Sequence, residues 1–319
     1  MISFFWVFDH LIIFGFLLQS ANMKIFHIME PTSRVLTRGL AVLNSFGIEL
    51  RNRSKHVHAQ EDFLVVSKKH PIFAVADGVT LETGPDGAYP KVSGAGAAAK
   101  IFCEAVVKEI EKIYKNFGLS DLKKVFAKAN AAVGKYNRAR GRFKDKLNYW
   151  DFDLFAATAA FLVIKEGNVY WASICDSGVA HFNKDAQLVF KSDDKWNVIR
   201  ENLPADWLKI PESERKKIIR KTYRNGVGPT GRLIGYGVVT GEKAAERYLN
   251  CNKFTVDKGD AVLLFTDGFE NYLKVGEFVD LFLNWPRSLR SKLKKITRHK
   301  SIDDPNNFGR ERALIAIKF

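Results

Sequence analysis

Twice in the chain, an aspartate-glycine pair closes an apolar run. Asp77-Gly78 follows Ile72–Ala76, and Asp267-Gly268 follows Ala261–Phe265 and one threonine. Apolar, β-branched runs of this length that end in a turn dipeptide predict buried strands. Each carboxylate then lies at a strand end, where we expect the glycine to allow a tight turn. The pairs alone indicate only strand-to-turn junctions, but two such ends brought together can hold divalent cations.

Further acidic residues flank other predicted strands. Glu61 and Asp62 directly precede the apolar segment Phe63–Val66, and Asp176 follows the apolar segment that ends at Cys175. A layered sheet can bring such strand edges together. Oxygen ligands without histidine or thiolate companions favour Mg²⁺ or Mn²⁺ over Zn²⁺. The sequence therefore predicts a metal site built from carboxylates.

The order of the predicted elements indicates an α+β fold with layered sheets. Strands meander through most of the chain, helices are inserted early near 100–136 and late near 275–299, and Ala313–Phe319 forms a final strand. This order differs from the βαβ alternation of a parallel sheet. Neither an internal repeat nor a linker-like stretch is evident, so we expect one domain over residues 23–319.

Charge and cysteine content limit the partners and the compartment. The 319 residues include Lys+Arg 50 and Asp+Glu 35, a formal net charge of +15. This excess fits phosphate-bearing or acidic partners, although a solvated surface is the commoner explanation. Cys103, Cys175 and Cys251 are far apart and match neither a metal-binding motif nor a disulfide framework. A reducing cytoplasm is the simplest compartment.

The first 22 residues form an apolar extension that we separate from the domain. Asp9 and His10 interrupt it, and no lysine or arginine precedes its apolar stretch. It matches neither a secretory signal nor a membrane span of ~20 apolar residues. Because Met23-Lys24 follows at once, we interpret Met23 as the start of translation. A membrane anchor formed by residues 1–22 is the alternative.

Four motifs, taken in chain order, resemble those of the metal-dependent PPM-type (type 2C) serine/threonine protein phosphatases, and most of all their microbial branch. The motifs are Gln60-Glu61-Asp62, Phe73–Gly78, Cys175-Asp176-Ser177 and Leu264–Gly268. The likeness runs from about residue 55 to the C-terminus. It implies a four-layer α-β-β-α sandwich of two antiparallel sheets flanked by helices. It also implies two Mn²⁺ or Mg²⁺ ions, with a third possible, that activate a water for attack on phosphoserine or phosphothreonine.

The resemblance also implies the ligand roles. Asp77 would bridge the two ions, and the carbonyl of Gly78 would bind one of them. Glu61 or Asp62 would add a carboxylate there, and Asp267 would bind the other ion. The motif of Asp176 matches the family's aspartate at an additional metal site.

At two positions the sequence departs from the family. An aspartate that completes the metal shell normally precedes the last strand, but here Arg310 holds the aligned position and Glu311 is the nearest carboxylate. Glu311 could reach the metal with its longer side chain, or Arg310 could replace an ion with a fixed charge. The family often places a phosphate-binding arginine before the Glu-Asp pair. Arg53 and Lys55 are the candidates here, as point charges without clear bidentate geometry.

We therefore expect a phosphoric monoester hydrolase that acts on phosphoserine and phosphothreonine in proteins. The alternative is a catalytically impaired, phosphoprotein-binding regulatory module on the same fold. The expected partner is a phosphoprotein substrate, without specific nucleic-acid binding or membrane association, and we expect a cytoplasmic monomer.

Overall fold

Two antiparallel sheets form the centre of the molecule. The computed structural model describes residues 23–31, 42–43, 49–50, 60–79, 93–194 and 196–319. In spatial order, the first sheet contains β1 (Lys24–Glu30), β12 (Arg312–Lys318), β11 (Ala261–Phe265), β8 (Gly178–Phe182) and β9 (Leu188–Lys191). The second contains β10 (Asn250–Thr255), β7 (Asn168–Ile174), β6 (Ala157–Lys165), β5 (Ile72–Gly78) and β4 (Phe63–Val66). A separate pair joins β2 (Val42–Leu43) to β3 (Glu49–Leu50).

Helices cover the outer face of each sheet. The described α-helices are α1 (Gly94–Ile113), α2 (Asp121–Ala139), α3 (Trp196–Arg200), α4 (Glu212–Ile218), α5 (Gly276–Asn284), α6 (Leu289–Asp303) and α7 (Pro305–Phe308). Helices α1 and α2 pack on the second sheet, whereas α5 and α6 pack on the first. The expected four-layer α-β-β-α sandwich is thus confirmed. Within the described ranges, no helix combines the length and the apolar character that crossing a membrane requires.

Strand β5 explains why the run before Asp77 is continuously apolar. Phe73 and Val75 point between the two sheets, while Ile72, Ala74 and Ala76 point toward α1 and α2. All five side chains are fully buried. Side chains alternate between the faces of a strand, so a strand covered on both faces needs apolar residues at every position.

Strand β1 was not expected from the sequence. Its residues Lys24–Glu30 pair antiparallel with Arg312–Lys318 along their whole length, so that the last strand of the chain has a partner on each side. Glu30 is buried and accepts a hydrogen bond from Arg312 at 2.7 Å. Such a buried ion pair cannot be recognised from the segment 24–30 alone.

Residues 1–22, like Arg53 and Lys55, lie outside the described residues.

Candidate metal centre

Strand register places two of the predicted carboxylates opposite each other. In the antiparallel pair of β4 and β5, Phe63 lies opposite Ala76. Asp62 and Asp77 occupy the next position at that end, one on each chain segment. On the other side of β5, Asp77 lies opposite Thr158 of β6. Strand pairing in the second sheet therefore places Asp62, Asp77 and Thr158 at the same edge of that sheet.

The first sheet contributes acidic residues at the same edge. Strands β11 and β12 pair with Phe265 opposite Leu314, and the N–H of Thr266 continues the ladder by donating to the carbonyl of Ala313 at 3.0 Å. Beyond this point lie Asp267, on the chain leaving β11, and Glu311, on the chain entering β12.

Three carboxylates from the two sheets converge. One carboxylate oxygen from each of Asp62, Asp77 and Glu311 lies within 4.8 Å of the other two. The Thr266 hydroxyl donates to Asp62 Oδ2 at 2.8 Å and accepts from the N–H of Ala313 at 2.8 Å. The backbone N–H of Glu61 donates to Glu311 Oε2 at 2.9 Å. These bonds cross between the sheets and fix Asp62 and Glu311. We call Asp62, Asp77 and Glu311 the carboxylate triad.

Burial and mutual repulsion raise the pKa values of the acidic groups. Burial, with repulsion from Glu311, raises the pKa of Asp62 well above its ordinary value, and burial with repulsion from Asp62 does the same for the pKa of Asp77. Burial raises the pKa of Glu61 to about 8 and, with repulsion from Asp267, the pKa of Asp176 to about 7. This edge of the sheets therefore favours the binding of protons or of a cation.

Buried carboxylate oxygens also remain available for a ligand. Among the residues that the structure describes, Asp62 Oδ1 and Asp176 Oδ1 are buried without a hydrogen-bond partner. Buried polar atoms are normally paired, so such atoms need an explanation. A hard divalent cation with oxygen ligands fits both the orphaned oxygens and the uncompensated charge.

Arg310 and Glu311 take different places in the site. Glu311 belongs to the carboxylate triad. Arg310 Nη1 donates to Asp267 Oδ2 at 2.5 Å. The Arg310 side chain is 45% exposed and that of Asp267 is 17% exposed. Glu311 therefore reaches inward to the other two carboxylates, while Arg310 places its positive charge beside Asp267.

The two glycines allow close packing beside the aspartates. Gly78 ends β5 and Gly268 lies in the 3-10 helical turn Asp267–Lys274, and neither has a positive φ. A Cβ on Gly78 would lie 2.6 Å from the carbonyl carbon of Ala95, at the start of α1. A Cβ on Gly268 would lie 2.0 Å from the carbonyl oxygen of Glu311. Each glycine thus lets a second segment approach the aspartate beside it.

The residue that caps α1 contacts Glu61. Ser93 Oγ caps the helix by accepting from the N–H of Gly96 at 2.9 Å. The Ser93 side chain also bonds to the carboxylate of Glu61, which partly offsets the increase in its pKa. A helix N-terminus favours negative charge, so this contact suits a buried glutamate.

Sequence reasoning identified the acidic residues of this edge but missed the side chains that orient them. The structure places six acidic residues close enough for direct bonds or mutual charge repulsion: Glu61, Asp62, Asp77, Asp176, Asp267 and Glu311. The missed residues are Thr266, Thr158 and Ser93. Thr266 carried a usable signal, since it directly precedes Asp267-Gly268. Thr158 and Ser93 carried none.

Comparison with known proteins adds independent information. The protein phosphatase 2C family model matches residues 51–299. The Mycobacterium tuberculosis serine/threonine phosphatase PstP/Ppp is 12% identical, with a TM-score of 0.51 over 93% of this chain and 98% of that one. PppA, described as a key regulatory component of T6SS in Pseudomonas aeruginosa, is 12% identical with a TM-score of 0.52 over 93% and 98%.

Two more solved structures share the fold. A serine/threonine phosphatase of S. agalactiae is 13% identical, with a TM-score of 0.52 over 93% of this chain and 99% of that one. The catalytic domain of PstP in complex with 2 manganese ions is 13% identical, with a TM-score of 0.50 over 93% and 97%. No curated protein sequence matches this chain significantly.

Proposed function

The chain belongs to the protein phosphatase 2C family, the metal-dependent serine/threonine protein phosphatases, and we propose that its carboxylate triad is the centre of the phosphatase site. The observation that carries this proposal is the convergence of Asp62, Asp77 and Glu311, with carboxylate oxygens within 4.8 Å of one another. Burial and mutual repulsion raise the pKa of each group. Three carboxylates at this separation, one buried and two partly buried, are a costly arrangement unless a cation compensates them.

The residues divide into metal ligands and residues that position them. Asp62, Asp77 and Glu311 would hold one ion, with the Gly78 carbonyl as a further ligand. Asp267 would hold the second ion and Asp176 a third. When bound, Mn²⁺ or Mg²⁺ lowers the pKa of a coordinated water, and its positive charge stabilises the phosphoryl oxygens.

The protein's own groups keep the ligands in place. Thr266 orients Asp62 through its hydroxyl, and the N–H of Glu61 orients Glu311. Because the side chain of Glu61 bonds to Ser93 while Asp62 belongs to the triad, we assign Asp62 as the ligand of the Glu61-Asp62 pair. Such positioning bonds fix the direction of each ligand's lone pairs.

Membership of the family supports the proposed substrate class. We propose phosphoserine and phosphothreonine in proteins as substrates, with Arg53 and Lys55 as candidates to bind the phosphate. We propose a cytoplasmic monomer that binds no specific nucleic acid. The alternative, an impaired regulatory module, requires a broken metal shell. Glu311 belongs to the triad and supplies the carboxylate that Arg310 cannot. This favours an active enzyme over the impaired module.

Hydrolysis of p-nitrophenyl phosphate by the purified full chain tests this proposal. We expect activity with Mn²⁺, its loss with a chelator, and activity in Asp77→Asn no higher than in the chelated protein. Asp185→Asn, the same change at an exposed position in the turn before β9, should keep full activity. Chelator-insensitive hydrolysis, or an active Asp77→Asn variant, would contradict the proposal. Phosphoserine, phosphothreonine and phosphotyrosine peptides then define the substrate class.

A further inference from the structure

Arg310 places a permanent positive charge inside the acidic edge. Its guanidinium donates to Asp267 Oδ2 at 2.5 Å, and its charge also acts on Asp176 and Asp77. At this position the family normally has another carboxylate. The substitution therefore changes the local charge from negative to positive beside one of the expected metal ligands.

Arg310 differs from Arg312, which has a structural role. Arg312 is buried, donates to Glu30 at 2.7 Å and to the hydroxyl of Tyr272 at 3.0 Å, and links β1 to the outer helical layer. Arg310 has nearly half of its side chain exposed, and among the described residues it bonds to the side chain of Asp267 alone. Its removal should leave the core intact.

The guanidinium and a metal ion compete for the same carboxylate. Oδ2 of Asp267 is already engaged by Arg310. A divalent ion bound to Asp267 next to the guanidinium would meet like charge at close range, where repulsion is strong. Within the triad, by contrast, Asp62 and Glu311 accept bonds from neutral donors, the hydroxyl of Thr266 and the backbone N–H of Glu61. The two metal positions are therefore unequal.

We propose that Arg310 is a built-in cation at the second metal position. The first ion binds to Asp62, Asp77 and Glu311, and the second binds to Asp267 only when it displaces the guanidinium. The partial exposure of the Arg310 side chain gives it room to leave. The inference rests on the proposed function, since it assumes that the acidic edge binds the metal ions of the family.

A binding titration tests the order of binding without measuring activity. Free Mn²⁺ is counted by electron paramagnetic resonance as it is added to the metal-free full chain. Wild type should show one tight site at the triad and a weaker site at Asp267, in addition to any third ion at Asp176. In Arg310→Ala the weaker site should tighten about tenfold, the factor that corresponds to ~1.4 kcal/mol. Arg310→Lys keeps the charge without the fork geometry and should give an intermediate affinity.

Two further variants separate the local effect from a general one. Arg298→Ala removes an equal charge from the exposed face of α6 and should leave both affinities unchanged. Asp267→Asn, combined with Arg310→Ala, should remove the tightened site and leave the first one. Equal affinities at both sites in wild type, or unchanged affinities in Arg310→Ala, would overturn the role of Arg310. Absence of Mn²⁺ binding in both proteins would instead contradict the proposed function.

Discussion

Replacement of Glu61 by glutamine probes the electrostatic cost of the acidic edge. Glu61 is 1% exposed, and burial raises its pKa from the ordinary value of 4.5 to about 8. At 1.36 kcal/mol for each tenfold change in the ionisation equilibrium, this difference corresponds to at most about 5 kcal/mol. Relaxation of the protein and entry of water lower such penalties. We therefore expect Glu61→Gln to stabilise the metal-free protein by about 2 kcal/mol at alkaline pH, because glutamine carries no charge to bury.

The sign of the pH dependence follows from the direction of the shift. Between pH 4.5 and about 8, the folded state holds a proton on Glu61 that the unfolded state has released. Stability from this group is therefore complete below pH 4.5 and is lost as the pH rises through about 8. Metal-free wild type should lose stability over this range, and Glu61→Gln should lose less.

Urea unfolding of the chelator-treated proteins measures this difference. Each protein is unfolded at a pH near 5 and at a pH near 8, the two ends of the range over which the proton is released. Glu104→Gln makes the same change on the exposed face of α1 and should resemble wild type at both pH values. If wild type and Glu61→Gln show the same change in unfolding free energy between the two pH values, Glu61 is not a strained buried acid.

Two other substitutions test the groups that position the triad. Thr266→Val keeps the shape but removes the hydroxyl that joins Asp62 to the N–H of β12, so unfolding free energy should fall by about 2 kcal/mol and Mn²⁺ affinity should fall with it. A Thr266→Val protein with unchanged Mn²⁺ affinity would show that this bond does not orient Asp62. Gly268→Ala places a Cβ against the carbonyl of Glu311 and should abolish phosphatase activity and lower the melting temperature. Gly276→Ala, where a Cβ meets open space, is the matched control, and equal behaviour of the two variants would refute the close-approach role.

The sequence was sufficient to predict the strands that carry the aspartates. Strand β5 is apolar from Ile72 to Ala76 because both of its faces are covered there, and this pattern is visible in a single segment. Strand-end acids then follow directly from where the apolar run stops. The antiparallel pairing that sets Asp62 against Asp77 also joins segments that are close in the chain.

The remaining details depend on contacts between distant segments. The N–H of Glu61 meets a carboxylate 250 positions away in Glu311, and Thr266 meets Asp62 across 204 positions. No local pattern encodes such contacts. The close approach of Gly268 to the carbonyl of Glu311 also joins segments that are distant in the chain, so the local sequence does not show it.

Crystals soaked in Mn²⁺ and measured at the manganese absorption edge test the central claim most directly. The account predicts an anomalous difference peak in contact with the carboxylates of Asp62, Asp77 and Glu311, with any second peak lying beside Asp267 accompanied by movement of Arg310. A manganese-soaked crystal with no peak among these three carboxylates would contradict the assignment of the metal centre.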